Sequence, residues 1–185
     1  MADLAAGDLL IASVILTGGI FDRSVIVLID ADDSGALGVI VNKINATPLV
    51  DVLPGWVDQA SAPRALFTGG PVSPEGAICL ASLADPNDEP PGWRRVFGDV
   101  GLLHLDTPVE LIAGAFRDLR VFAGYAGWSP GQLQGELERG SWHHARAVYS
   151  DVFTPKPTDL WSQALRRQPL PVSLFATWPV DPELN

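Results

Sequence analysis

Val25-Ile26-Val27-Leu28-Ile29-Asp30-Ala31-Asp32-Asp33-Ser34-Gly35-Ala36-Leu37-Gly38-Val39-Ile40-Val41 is the stretch that decides the fold. Two short β-branched runs, Val25 to Ile29 and Leu37 to Val41, flank a segment of Asp, Ser and Gly that favours a turn. A parallel return needs a crossover of roughly a dozen residues or more, so this short connection predicts a hairpin with antiparallel pairing. Upstream, Leu9 to Leu16 reads as another apolar strand.

Downstream, Thr47 is placed to cap a short helix with Pro48 in its first turn, and Pro54-Gly55 to stop it. Strands are expected at Ala65 to Thr68, Ala77 to Ser82, Arg95 to Phe97, Leu102 to Leu105, Leu119 to Tyr125 and Ala145 to Tyr149. Helices are expected at Pro108 to Gly114 behind Thr107, at Pro130 to Glu138, and at Thr158 to Arg167 with its apolar positions Leu160, Trp161, Ala164 and Leu165. The Asp- and Pro-rich segment from Ala84 to Trp93 reads as the mobile loop. Strands and short helices mix without regular βαβ alternation, which predicts the α+β class. The expected architecture is a single compact domain over residues 1–185, its mixed and largely antiparallel sheet flanked by short helices.

The 185 residues include 12 basic and 22 acidic groups, a formal charge of −10. That balance works against a broad phosphate-binding surface, so duplex DNA is not expected as a tight direct partner. The charge is uneven: residues 1–110 carry 5 basic and 15 acidic groups, residues 111–185 carry 7 of each. The longest charge-free run, Val121 to Gly135, has 15 residues and is broken by glycines and a proline, against the ~20 a helix needs to cross a bilayer. No membrane partner is expected. A single cysteine and the absence of a basic, signal-like start point to a cytoplasmic protein.

Gly127-Trp128-Ser129-Pro130-Gly131 matches the G-x-S-x-G nucleophile elbow, with a strand before it and a helix after it. An elbow draws its oxyanion hole from the amide hydrogen that follows the serine, and Pro130 has none. Ser129-Pro130-Gly131-Gln132 reads better as a capping box, Ser129 accepting from the helix and Gln132 reaching back. Cys79 lies in an apolar strand that buries it as a small hydrophobe. His143 and His144 are adjacent, so on a strand they face opposite ways and do not share a metal. Neither lysine, Lys43 or Lys156, follows a glycine, and no G-x-G-x-x-G occurs, so no nucleotide cofactor or metal is expected. Gly69-Gly70-Pro71 reads as a tight turn. Arg139, His143, His144 and Arg146 surround Trp142, a grouping that fits a charged strand edge better than a stacking platform for single-stranded nucleic acid.

In order along the chain, five blocks resemble the AlgH/YqgE family of bacterial proteins. They are Gly7 to Ala12, Phe21 to Val25, Gly35 to Asn42, Gly69 to Val72, and Gly124-Tyr125-Ala126-Gly127-Trp128-Ser129-Pro130-Gly131-Gln132-Leu133. Trp142 and the helix around Trp161 to Leu165 complete the likeness. The chain departs from the family pattern at Val14, where a proline is usual, and at Lys43-Ile44, where a basic residue precedes proline. The resemblance implies a compact cytosolic α+β domain without an assigned activity, and a family name tied to transcriptional regulation of alginate synthesis.

The expected role is therefore a noncatalytic binding or regulatory protein acting through an unknown protein or small-molecule partner. The alternatives are a small hydrolase-type enzyme using Ser129, Cys79 or Glu136, and a weak nucleic-acid-binding regulator. The candidate contact surface takes in Asn42, Trp128, Gln132, Glu136 and Trp142. Gln132 and Glu136 lie four apart on one helix face, which predicts a polar pair free for contact, with the two tryptophans as large contact groups beside it.

Overall fold

The hairpin forms as its turn chemistry dictates. Strand β2 (Val25–Asp32) and strand β3 (Gly35–Ile40) pair antiparallel from Ile26 opposite Ile40 to Asp32 opposite Gly35. Asp32 Oδ1 accepts the Ser34 N–H at 2.7 Å, fixing the reversal from a side chain in the way Asx turns do. The register shifts between Leu28 and Asp30, leaving Ile29 as an extra residue in β2, a β-bulge. The computed structural model describes residues 4–180.

Around this hairpin the sheet runs β6-β7-β5-β8-β3-β2-β1-β9, with β4 beside β8. Here β1 is Asp8–Ala12, β4 Leu66–Thr68, β5 Val72–Leu83, β6 Trp93–Phe97, β7 Val100–Leu103, β8 Phe116–Trp128 and β9 Trp142–Arg146. All pairings are antiparallel except β4 with β8, so the sheet is mixed and largely antiparallel as expected. It curls into a half-barrel with short helices against it, an α+β domain. The long β8 joins both halves of the sheet: Phe116 to Tyr125 pairs with β5, and Ala126 to Trp128 turns to β3. The turn between those partners follows Gly124, whose φ of +69° an L side chain rarely adopts.

Several boundaries differ from expectation, each for a local reason. The strand expected over Leu9 to Leu16 ends at Ala12, because the Leu16 N–H turns back to the Ser13 carbonyl at 3.1 Å. Helix α1 (Leu49–Val52) follows Pro48 and helix α2 (Val109–Ile112) follows Pro108; neither has a side-chain cap, so Thr47 and Thr107 do not cap them. Both prolines keep an extended ψ, 143° and 132°, and so stand outside the helical turn they were expected to open. Strand β9 begins at Trp142 rather than Ala145 because it pairs with β1 from Ala12 opposite Trp142 to Asp8 opposite Arg146. Tyr149 instead opens helix α4 (Tyr149–Phe153), where Asp151 accepts the Val148 N–H at 2.9 Å. The Ala84 to Trp93 segment is tied to β6, since Arg95 donates to Glu89 at 2.7 Å and to the Pro86 carbonyl at 3.4 Å.

The main core gathers the apolar residues of β1, β2 and β3 with helix α5 (Leu160–Arg166). Leu9, Leu10 and Ile11 are fully buried in succession, so β1 is covered on both faces. Each such side chain removed from water contributes about 1.5–3 kcal/mol. Leu160, Trp161, Ala164 and Leu165 of α5 are all buried as their spacing predicts, and Trp161 Nε1 donates to the Ala12 carbonyl at 2.8 Å. Among the described residues no helix is long and apolar enough to cross a membrane.

Candidate functional site

The block Gly127 to Gln132 is where the longest strand hands over to helix α3 (Gln132–Glu138). The helix begins at Gly131, which is left-handed with φ of +74°, two residues later than the capping box requires. Half of the box survives: Gln132 Oε1 accepts the Ser129 N–H at 3.1 Å. The other half does not form, for the Ser129 hydroxyl makes no cap bond and Pro130 lies outside the helix.

Glu136, one turn on from Gln132, is the hub of the block. Its Oε2 accepts the indole N–H of Trp128 at 2.9 Å and that of Trp142 at 2.8 Å, while Oε1 accepts from Gln132 Nε2 at 3.0 Å. The two indoles meet edge to face at 6.3 Å between centroids, and Phe21 closes on Trp142 in the same manner at 5.7 Å. The structure thus brings together four of the five candidate residues and corrects the idea that Gln132 and Glu136 are free: their polar atoms bond to each other and to the block. Trp128 and Trp142 are buried, 7% and 5% exposed, so neither offers a stacking face to nucleic acid. The fifth candidate, Asn42, lies apart. It is buried beyond β3, where Oδ1 accepts the Val25 N–H and Nδ2 donates to the Arg23 carbonyl, both at 2.9 Å.

Beside this clamp opens a cleft of about 500 Å³. One wall is the hairpin turn with Asp32 and Asp33; the other is Ser129, Gly131, Leu133 and Gln134. The walls are held close, since a Cβ on Gly35 would stand 2.3 Å from the Trp128 carbonyl oxygen. Ser129 and the start of α3 were legible as a site region, whereas Asp32 and Asp33 read only as turn formers and no local spacing ties them to Gln134.

The remaining candidates fall into structural roles. Cys79 is 1% exposed and burial pushes its thiol well up, so the thiolate is suppressed. His144 Nε2 lies 2.9 Å and Arg146 2.7 Å from the fully buried Asp8, pairing two of the four basic groups around Trp142. His143 faces the other way and stacks on Phe175. Among the described residues no group of three or more His, Cys, Asp or Glu side chains is placed to hold a metal. Gly69 and Gly70 are close-approach positions: added Cβ atoms would stand 2.3 Å from the Gly124 carbonyl oxygen and 2.1 Å from the Tyr125 carbonyl.

Fold and site together define a class: a curled α+β half-barrel whose longest strand is clamped to a short helix by two tryptophans on one glutamate. The AlgH-like family model matches residues 9–173, and the chain belongs to this family, as the sequence blocks imply. A UPF0301 protein of Streptomyces avermitilis is 45% identical over 182 residues, covering 97% of this chain and 94% of its own. A UPF0301 protein of Rhodococcus jostii is 46% identical over 181 residues, covering 97% and 90%. The crystal structure of a Corynebacterium diphtheriae protein, DIP2367, superposes with a TM-score of 0.90 at 32% identity, covering 96% of this chain and 94% of that one. The solution structure of the AlgH protein from Pseudomonas aeruginosa shares the fold, with a TM-score of 0.69 at 24% identity over 94% of each chain.

Proposed function

We propose that this chain is a noncatalytic binding protein that receives a protein or small-molecule partner in the cleft between the β2–β3 turn and the start of α3. The observation that carries this reading is the Glu136 clamp. It fixes one wall of the cleft through three hydrogen bonds from groups on two strands and one helix, the preorganisation that a binding site needs. Asp32 and Asp33 on the opposite wall favour a cationic or amine-bearing contact. A regulatory role of the kind the family name suggests would run through such a partner. A single cysteine, which allows no intramolecular disulfide, accords with a cytoplasmic setting.

The hydrolase reading lacks an assembled set. Ser129 is exposed without a base bonded to its hydroxyl among the described residues, Glu136 spends both oxygens on the clamp, and Cys79 is buried. Direct DNA binding gains nothing either, with two of the basic groups around Trp142 committed to Asp8.

The test is affinity capture with the wild type and an Asp33→Asn, Gln134→Ala double variant of matched thermal stability, backed by a metabolite thermal-shift screen. A partner retained by the wild type and lost by the variant is the expected result. Equal retention by both would move the contact away from the cleft. A serine-directed fluorophosphonate probe that labels the wild type and spares Ser129→Ala would replace the binding reading with a hydrolase.

A further inference from the structure

A second concavity lies away from α3, in the crease where the β2–β3 hairpin curls toward β5 and β7. It holds about 360 Å³, near the lower end of the range for small-molecule sites (about 300–1,000 Å³). That size suits an amino acid or dipeptide rather than a dinucleotide. Its floor is apolar, built by Ile29 and Leu37 from the hairpin and by Ile78 and Leu102 from β5 and β7. Ile29 is the extra residue of the β2 bulge, and Leu37 stands opposite Asp30 just past the slip. Bulges of this kind re-aim side chains beside binding sites.

The rim is charged, and its charges are separated by wall. Asp30 stands on β2, while Arg94 on β6 and His104 just beyond β7 stand on the other side. All three are exposed, and among the described residues none of their side chains makes a hydrogen bond or ion pair. The contrast with the neighbouring arginine is sharp. Arg95, on the opposite face of β6, is committed to Glu89, Asp99 and the Gly98 carbonyl. A free carboxylate and a free guanidinium on the rim above an apolar floor complement a small zwitterion that carries an ammonium, a carboxylate and an apolar side chain.

We propose that this crease binds a small zwitterion with an apolar side chain, an apolar α-amino acid or dipeptide. Asp30 receives its ammonium group, Arg94 its carboxylate, and Leu37, Ile78 and Leu102 its side chain. Cys79 also lines the crease, but with its sulfur buried and its thiol pushed up it serves as lining and not as a nucleophile. The site is separate from the cleft at α3 and stands or falls without it.

Calorimetric titration of the whole chain with L-leucine and L-leucyl-L-leucine tests the proposal, with amide chemical shifts of Ile78 and Leu102 reporting location. N-acetyl-leucine, which lacks the ammonium, and leucinamide, which lacks the carboxylate, are the matched probes. On the wild type each should bind about tenfold or more weakly than leucine, the loss expected when a charge-assisted hydrogen bond goes. In Asp30→Asn the penalty for N-acetylation should vanish, and in Arg94→Gln the penalty for amidation should vanish. No binding of leucine or its dipeptide at millimolar concentration overturns the proposal. So does equal binding of the blocked probes, or shifts confined to residues outside the crease. Because the probe series is read on the wild type, a variant that fails to fold leaves the test decisive.

Discussion

Trp128 and Trp142 donate their indole hydrogens to the same oxygen, Oε2 of Glu136, from strands that do not pair with each other. One carboxylate thereby ties the end of β8 and the start of the edge strand β9 to helix α3. A seven-residue helix has little stability of its own, so this tie and the burial of Leu133 hold it in place. The clamp is a structural bond first, and the neighbouring cleft inherits its shape from it.

Glu136→Ala should therefore lower stability by about 2–4 kcal/mol, because it leaves two largely buried indole N–H groups without an acceptor. Glu136→Gln keeps one carbonyl oxygen and should fall between the two. Urea unfolding followed by tryptophan fluorescence measures both. A loss below about 0.5 kcal/mol for the alanine variant, the range of a neutral surface change, would show that the clamp carries no stability.

Gly70→Ala should be far more damaging than Gly131→Ala. A Cβ on Gly70 would lie 2.1 Å from the Tyr125 carbonyl carbon and oxygen, so β8 itself would have to move. Gly131 is left-handed but opens onto free space, and an L residue there costs only its backbone strain, about 1–2 kcal/mol. Thermal unfolding of the two variants separates them, and equal melting temperatures would contradict the close approach of the Gly69-Gly70 turn to β8.

The contrast between these sites shows what was legible in the sequence. The β2–β3 hairpin could be read because turn chemistry and apolar runs lie within one short window, and helix α5 because its apolar spacing is local. Local sequence marks β8 only from Leu119 to Tyr125; the strand continues because β3 supplies a new partner for Ala126 to Trp128. Parallel pairing of β4 with β8 had no local signature. The pairing of Gln132 with Glu136 was visible as an i, i+4 face, but the indoles that occupy Glu136 are brought by β8 and β9. Local spacing records which side chains share a face and is silent on what the rest of the chain presses against that face.

Arg120 illustrates the same gap and yields a third prediction. It is 1% exposed in the middle of β8, stacked 4.4 Å over Phe67, and its guanidinium donates to the carbonyls of Val152, Ala62 and Thr154 at 2.7, 2.8 and 3.1 Å. Burial brings its pKa down to about 10, with Asp118 and Tyr149 opposing. Only a planar fork reaches all three carbonyls at once, so Arg120→Lys should cost about 3 kcal/mol despite keeping the charge. Denaturant midpoints would check this, and a lysine variant as stable as the wild type would mean that the three carbonyls need no donor from residue 120.

The last prediction concerns acid. His143 is half-buried on β9, its ring stacked at 14° and 6.5 Å on Phe175 of the 3₁₀ turn Val172–Thr177, and its Nε2 is buried without a hydrogen-bond partner. Burial disfavours the imidazolium and lowers the pKa below the ordinary 6.5. Between the two values the unfolded chain binds more protons than the folded one, so this residue's contribution makes stability rise with pH. Stability is therefore lost as pH falls from 6.5 through the folded pKa, and no more is lost from this group below it. His143→Phe keeps a flat ring against Phe175 and removes the titration. Urea midpoints measured from pH 7.5 down to 5 should fall more steeply for the wild type than for the phenylalanine variant, with His144 and the carboxylates common to both. Parallel profiles would show that His143 enters the folded state as readily charged as neutral.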